Sequence, residues 1–304
     1  MDKRKRGLEF SFAWLFAIIV GAFILFLAIY FISKFIQTEQ TVIYVKAGKD
    51  IGILLNPLEI GFETAKSVYF EMPVETRIYN SCSNEDVFGR QLIRVSQKNL
   101  NKWSDTNIDV GFSNKYIFSD RYSEGKRFYV FSKPFEFPFK VSDLIYLTSS
   151  NRKYCFVQAP EKIKDEITSI SQPNLLVENC SEQDIRVCFR GNCDIEVNYN
   201  LGYVERGTER VYFEGDALMY AAIFSDPNLY ECHLKRLMKR EKELAFLYND
   251  KASFIARTGC TSNLNLAELG SLANNFQNSN DLFLISQVAD DIENKNEATD
   301  CKLW

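Results

Sequence analysis

The sequence predicts an α+β protein: an N-terminal transmembrane helix, a β-rich ectodomain of sandwich-like antiparallel sheets, and a C-terminal helical hairpin or bundle. Three observations predict it. Phe10 to Ser33 is an uncharged run dominated by Phe, Ile, Leu, Ala and Val. Between Thr41 and Phe213, short β-branched and aromatic runs alternate with Gly and Pro. After Glu214 the content of Leu, Ala, Lys and Asn rises, and no proline follows Pro227. The expected organisation is a basic segment at 1–9, an anchor at 10–36, a β-rich ectodomain at 37–215 and a helical subdomain at 216–304.

At about 1.5 Å of rise per residue the apolar run reaches roughly 36 Å, enough to cross a hydrocarbon core of about 30 Å. Lys3, Arg4, Lys5 and Arg6 precede it, whereas Lys34 and the polar Gln37, Thr38, Glu39 and Gln40 follow. The positive-inside rule then puts the N-terminus in the cytoplasm and the large C-terminal part outside the cell membrane. Trp14 and Tyr30 fall near the two interfaces. The run exceeds the roughly 7 to 15 residues of a secretory signal, and Ile32, Ser33 and Lys34 supply no small-residue cleavage site, so a retained single-pass signal anchor is expected. The partner of residues 10–36 is thus the lipid bilayer. Ala13, Ala17 and Gly21 repeat every fourth residue and form a small-residue stripe, a candidate helix-packing face.

About 264 of the 304 residues remain outside the membrane, enough for one large core or two smaller ones, and two sub-domains are expected. With Lys3, Arg4, Lys5, Arg6 and Lys34 set aside with Asp2 and Glu9, the rest of the chain carries about −7. Such an acidic surface speaks against nucleic acid as a partner. All eight cysteines lie in the expected ectodomain, and an even number in an oxidising compartment favours disulfides. Eight cysteines admit 105 pairings. One pair is local: Cys188 and Cys193 flank the turn residues Arg190, Gly191 and Asn192, so a bridge across a hairpin is expected there. The competing zinc reading of Cys180, Cys188 and Cys193 lacks a C-x-x-C pair or clustered histidines.

Strands are expected at Thr41 to Val45, Ser67 to Ile78 and Gln91 to Val95, and Lys115 to Phe118 reads as a hairpin with Arg127 to Phe131 around Ser123, Glu124 and Gly125. After Pro160, Ile163, Ile167 and Ile170 recur at helical spacing, so a short helix interrupts the sheet. Strands resume at Ile185 to Phe189, Ile195 to Tyr199, Gly202 to Glu205 and Arg210 to Phe213, the last two joined at Arg206 to Thr208. Ser225 and Asp226 can cap a helix that carries Pro227 in its first turn. Tyr230, Leu234, Leu237, Leu244, Tyr248, Ala252 and Ile255 continue it to Gly259. An unbroken helix would hold Cys232 and Cys260 about 42 Å apart, so they cannot pair with each other. Helices at Leu264 to Phe276 and Asp281 to Glu293 would bring Cys301 back to one of them.

Chemistry-bearing motifs are sparse. His233 is the single histidine, which excludes multi-histidine metal centres. No Walker A loop, dinucleotide fingerprint or nucleophile elbow is present, so no catalytic residue, cofactor or metal is assigned. Asp290 and Asp291 read as a solvated helix face. Lys235, Arg236, Lys239, Arg240 and Lys242, interleaved with Glu231, Glu241 and Glu243, read as helix-surface ion pairs. In the stretch from Phe128 to Phe139, the rings of Phe135, Phe137 and Phe139 would share one face of a strand confined to a sheet edge by its prolines. They read as core packing under a loop, with an aromatic interaction face as the alternative.

The start from Lys5 to Phe10, Lys-Arg-Gly-Leu-Glu-Phe, resembles the leader of type IV pilin-like proteins, which join a basic leader ending in Gly to a long apolar helix. In those proteins a peptidase cuts after the glycine, here Gly7, and a glutamate lies five residues into the mature helix; here Glu9 lies two residues in. The whole chain also resembles uncharacterised archaeal single-span membrane proteins with a cysteine-bearing ectodomain. The function expected from all of this is a membrane-anchored extracytoplasmic structural or interaction protein of the cell envelope, with protein partners there and an association with a pilus-like or surface assembly. The alternatives are an extracytoplasmic ligand-binding module using the Phe135, Phe137 and Phe139 face, and a carboxylate-dependent enzyme.

Overall fold

After the apolar run no proline interrupts the chain before Pro57, and helix α1 runs unbroken from Phe12 to Leu54. The computed structural model describes residues 12–55, 66–99, 102–104, 108–257, 259–260 and 264–304. The basic cluster and the pilin-like leader, Lys3 to Phe10, lie outside the described residues. The strand expected at Thr41 to Val45 is helical instead, because helix already formed on both sides adds one hydrogen bond per residue and overrides the weak β preference of Thr41, Val42 and Ile43. Phe12–Phe35 is long and apolar enough to cross a membrane, and none of it is buried by the rest of the chain. Ala13, Ala17 and Gly21 are exposed there, with no neighbouring atom within 4 Å of a Cβ built at Gly21.

The last turns of α1 dock on the domain. Ile51 and Leu55 are buried against Ile78, Ile93, Val95, Phe128 and Val130. Gly48 and Gly52, one turn apart, permit this approach: a Cβ on Gly48 would lie 3.0 Å from Val110 Cγ2, and one on Gly52 would sit inside the Phe112 ring.

The first sheet comprises β1 (Lys66–Ser83), β2 (Arg90–Asn99), β3 (Lys102–Ser104), β4 (Val110–Phe112), β5 (Ile117–Phe118), β6 (Tyr122–Glu136) and β7 (Lys140–Ser149). Their order is β3-β2-β1-β6-β7-β5, with β4 also paired to β2. All pairings are antiparallel except β5 with β7, where Ile117 faces Ile145. The expected hairpin between 115–118 and 127–131 is therefore corrected: β5 pairs with β7, and Ser123, Glu124 and Gly125 lie inside β6. Both faces of this sheet are covered. Phe128, Val130, Ile145 and Leu147 face the α1 side, while Phe131, Leu144 and Tyr146 face the main core, so β7 is buried almost throughout.

The second sheet comprises β8 (Tyr154–Val157), β9 (Leu175–Val177), β10 (Ile185–Cys188), β11 (Ile195–Asn198), β12 (Tyr203–Arg206) and β13 (Glu209–Tyr212), in the order β13-β12-β11-β10-β8-β9. It is mixed and not antiparallel throughout. Strands β9, β8, β10 and β11 run parallel, and β12 and β13 add an antiparallel hairpin at Arg206, Gly207 and Thr208. Helix α2 (Glu161–Ile170) is the crossover that makes β8 and β9 parallel, and it buries Ile163, Ile167 and Ile170. Asp120 ties the two sheets together by accepting from Arg152, Arg206 and the Tyr154 hydroxyl.

Helix α3 (Gly215–Phe224) is buried on every side, from Ala217 to Phe224, and contacts both sheets. Helix α4 (Pro227–Ala256) begins where Asp226 caps the Asn228 and Leu229 amides and Pro227 occupies the first turn. Helices α5 (Leu266–Asn274) and α6 (Leu282–Glu297) fold back on it. The helices from Gly215 onward share one continuous core with both sheets. The cysteines form four disulfides, Cys82–Cys232, Cys155–Cys180, Cys188–Cys193 and Cys260–Cys301. Cys188 and Cys193 pair as expected, but β10 and β11 are parallel neighbours, so the bridge closes a short return loop and not a hairpin. Cys232 finds Cys82 on β1, and Cys301 finds Cys260, pinning a C-terminus in which Leu303 is buried.

Replacing Gly52 by alanine is expected to lower stability by about 1–3 kcal/mol, because the Phe112 ring must move or α1 must lift. Thermal unfolding should show the loss, and a second substitution, Phe112→Leu, should restore part of it.

Candidate binding groove

The residues singled out from sequence do not assemble into a site. Phe135, Phe137 and Phe139 are all buried, which removes them as an interaction face. They are not successive positions of one strand: β6 ends at Glu136, and a tight turn with a cis Phe137–Pro138 bond leads into β7. Phe135 stacks on Phe137 at 5.5 Å, and Phe139 packs between Tyr248 and Trp304. Asp290 and Asp291 are exposed, and Asp291 pairs with Lys295.

The basic stretch of α4 is not uniformly a surface. Arg236 is fully buried and donates to the carbonyls of Phe88, Ser113 and Lys115 at 2.8–3.1 Å while stacking on Tyr116. Burial lowers its guanidinium to about 10. His233, also buried, faces Arg236 across 3.0 Å; burial and then the Arg236 charge push its imidazole well below the ordinary value. Both belong to a clamp that holds the loops before β2 and before β5 against α4. Glu241 is buried with neither carboxylate oxygen hydrogen-bonded, and burial alone drives its pKa well above the ordinary value.

The concave surface of the domain lies elsewhere. From β8 the chain passes through α2 to β9 on one side, then returns to β10 on the other, so β8 is a topological switch point. In open sheets with parallel strands, ligands collect outside the carboxyl ends of the strands at such a point. A cavity of about 750 Å³ lies there, lined by Gln158 and Pro160 after β8, Lys164 on α2, Phe189 and Arg190 after β10, and Asn198 at the end of β11. A second cavity of about 760 Å³ continues along the same edge, between the end of β13 and the start of α6, with Glu214, Asp216, Asn280 and Phe283 in its walls. Tyr199 and Asn200 belong to both. Together they form a groove that follows the carboxyl ends of β8, β10, β11 and β13.

Local chemistry holds the groove in shape. Asn198 accepts from the Leu201 amide at 3.0 Å and donates to the Tyr203 hydroxyl, setting the β11–β12 turn. The Tyr199 hydroxyl donates to Asp216 at 2.9 Å, and Lys162 pairs with the other oxygen of the same carboxylate. Burial alone would raise the Asp216 pKa, but these two hydrogen bonds outweigh it and lower the value. At Glu214 burial, followed by the charge of Asp290, raises the pKa and outweighs a hydrogen bond with Ser286. Gln158, Glu178 and Asn179 adopt positive φ at this edge, where Cys155–Cys180 joins β8 to the segment after β9. The Cys188–Cys193 bridge closes the loop that presents Arg190.

Comparison of the chain with family models, with curated proteins and with solved structures finds no match. Class therefore follows from the coordinates alone: an α+β domain of two mixed sheets on a long helix whose first half is apolar and uncovered. Among the described residues, no three His, Cys, Asp or Glu side chains converge as a metal set. What the groove offers is hydrogen-bonding groups and aromatic rings, which suit holding a ligand. Sequence reading missed it because it treated α2 as an interruption. A strand, a helix and a strand in succession signal parallel pairing, which would have pointed to Gln158 and Pro160.

The buried ionisable groups on α4 predict a pH signature. The unfolded chain ionises Glu241 above about 4.5 while the folded protein keeps it protonated, so its contribution to stability is lost as pH rises through the elevated folded value. Glu241→Gln should match the parent near pH 4 and exceed it near pH 7 by about 1 kcal/mol or more, as measured by denaturant unfolding at both values. His233 acts in the opposite range: its lowered value removes stability as pH falls below 6.5 in both proteins.

Proposed function

We propose that this chain is a bitopic structural or interaction protein of the cell envelope, with its N-terminus in the cytoplasm, α1 crossing the bilayer and the disulfide-braced domain outside. It works in assembly or adhesion beside a pilus-like or surface system, through protein partners in the envelope. One observation supports the reading most: the helix carrying the apolar segment is the same unbroken helix that docks on the first sheet. About 20 Å of helix separates Phe35 from Gly48, so the domain is held at a set height and orientation above the bilayer. Four disulfides with no free cysteine suit an oxidising compartment.

The groove favours a second reading, an extracytoplasmic ligand-binding module. That reading no longer uses the aromatic turn at Phe135 to Phe139 and moves to the carboxyl edge of the second sheet.

Protease added to intact cells tests the topology. A C-terminal tag should be digested, and thiol-reactive polymer should shift the denatured protein only after reduction. A protected tag, together with eight reactive thiols before reduction, would place the domain in the cytoplasm and overturn the proposal.

A further inference from the structure

We propose that the groove along the carboxyl edge of the second sheet binds an oligosaccharide. It deepens the ligand-binding reading given above and needs the outward orientation only for access to its ligand. The first argument is shape. From β8 to β13 the edge spans four strand intervals, about 19 Å at about 4.8 Å each, and two adjoining cavities meet at the Tyr199–Asn200 turn. A channel of that form suits a chain of repeating rings better than one compact molecule.

The second argument is the chemistry of the walls. Sugar rings carry neighbouring hydroxyls that both donate and accept, and a flank of C–H bonds that packs on aromatic faces. Planar polar groups recur along the groove in Gln158, Arg190, Asn198, Asn200 and Asn280. Tyr199 stands at the junction with 37% of its surface exposed, and Phe283 at the far cavity with 66%. Exposed rings beside amides match a ligand with polar rims and apolar flanks. The Tyr199 bond to Asp216 and the Cys188–Cys193 bridge hold ring and loop in place before a ligand arrives, which reduces the ordering cost of binding.

Two other polymers fit less well. A nucleic acid would meet Lys164 and Arg190 at one end with Glu196 in the same cavity, and Glu214 and Asp216 in the other. An extended peptide needs a free strand edge, whereas the groove crosses strand ends, and the Tyr212 amide on the outer strand is already bonded to Ser279 Oγ at 2.9 Å.

The test uses the full chain in lipid nanodiscs, free of sugar detergents, on an array of N-acetylglucosamine, mannose and galacturonic acid oligomers, with a peptide array beside it. Calorimetric titration then follows the best binder. At least one oligomer series should bind, more tightly as it lengthens. Tyr199→Ala should weaken binding roughly tenfold, and Tyr199→Phe, which keeps the ring but loses the bond to Asp216, should weaken it less, with both variants still unfolding cooperatively. Arg190→Ala, at the other end of the groove, should weaken the longer oligomers more than the shorter ones. Absence of binding to all three series, binding indifferent to Tyr199→Ala, or Tyr199-dependent capture of peptides instead would each overturn the proposal. Because purified protein is used, failure here leaves the protease result on topology standing, and the reverse also holds.

Discussion

The closeness of α1 to the first sheet is the constraint on which the rest of the molecule depends. Side chains at positions 48 and 52 would meet Val110 and Phe112 as Ile51 and Leu55 enter the cluster formed by Ile78, Ile93, Phe128 and Val130, so the glycines allow the approach without displacing either. With the two glycines, the outer face of the sheet is covered by the same helix that carries the apolar segment. The sheet can then be covered on both faces, which is why β7 is buried almost throughout and carries the unbroken apolar run Leu144 to Leu147. The apolar segment and the domain thus become one mechanical unit.

On the opposite face, α3 and α4 complete the core, and polar groups direct how they sit. Among the described residues Arg236 makes no carboxylate pair; it satisfies backbone carbonyls of two loops that otherwise would need water, so a buried charge sets the position of α4. Cys82–Cys232 fixes the same helix to β1 across 150 residues of chain and restricts the unfolded ensemble most among the four bridges in a chain-entropy picture. The second sheet, joined through Asp120 and covered by α2 and α3, leaves the carboxyl ends of its strands uncovered, and the groove lies along them.

Much of this architecture was legible where the determinants are local. The apolar run, the isoleucine periodicity of α2, the Asp226–Pro227 start of α4, the Arg206–Thr208 turn and the Cys188–Cys193 bridge all follow from residues within a few positions of one another. Reading failed where distant pairing decides. Thr41 to Val45 looks like a strand until the helix on either side is considered. Lys115 to Phe118 sits near β6 in sequence yet pairs with β7, and the alternating phenylalanines of 135–139 are bent into a turn that buries all three. The groove was the hardest part to foresee, since its walls come from loops after four strands and from α6, and no short motif joins them.

Helix α1 continues into the fold and is held there. Hydrogen exchange of the full chain in nanodiscs measures this most directly. Amides from Val45 to Leu55 should exchange as slowly as those of β6 and β7, since the same core covers them. Exchange of that segment at the rate of an unstructured chain, with β6 and β7 still protected, would contradict a docked helix and separate the apolar segment from the domain.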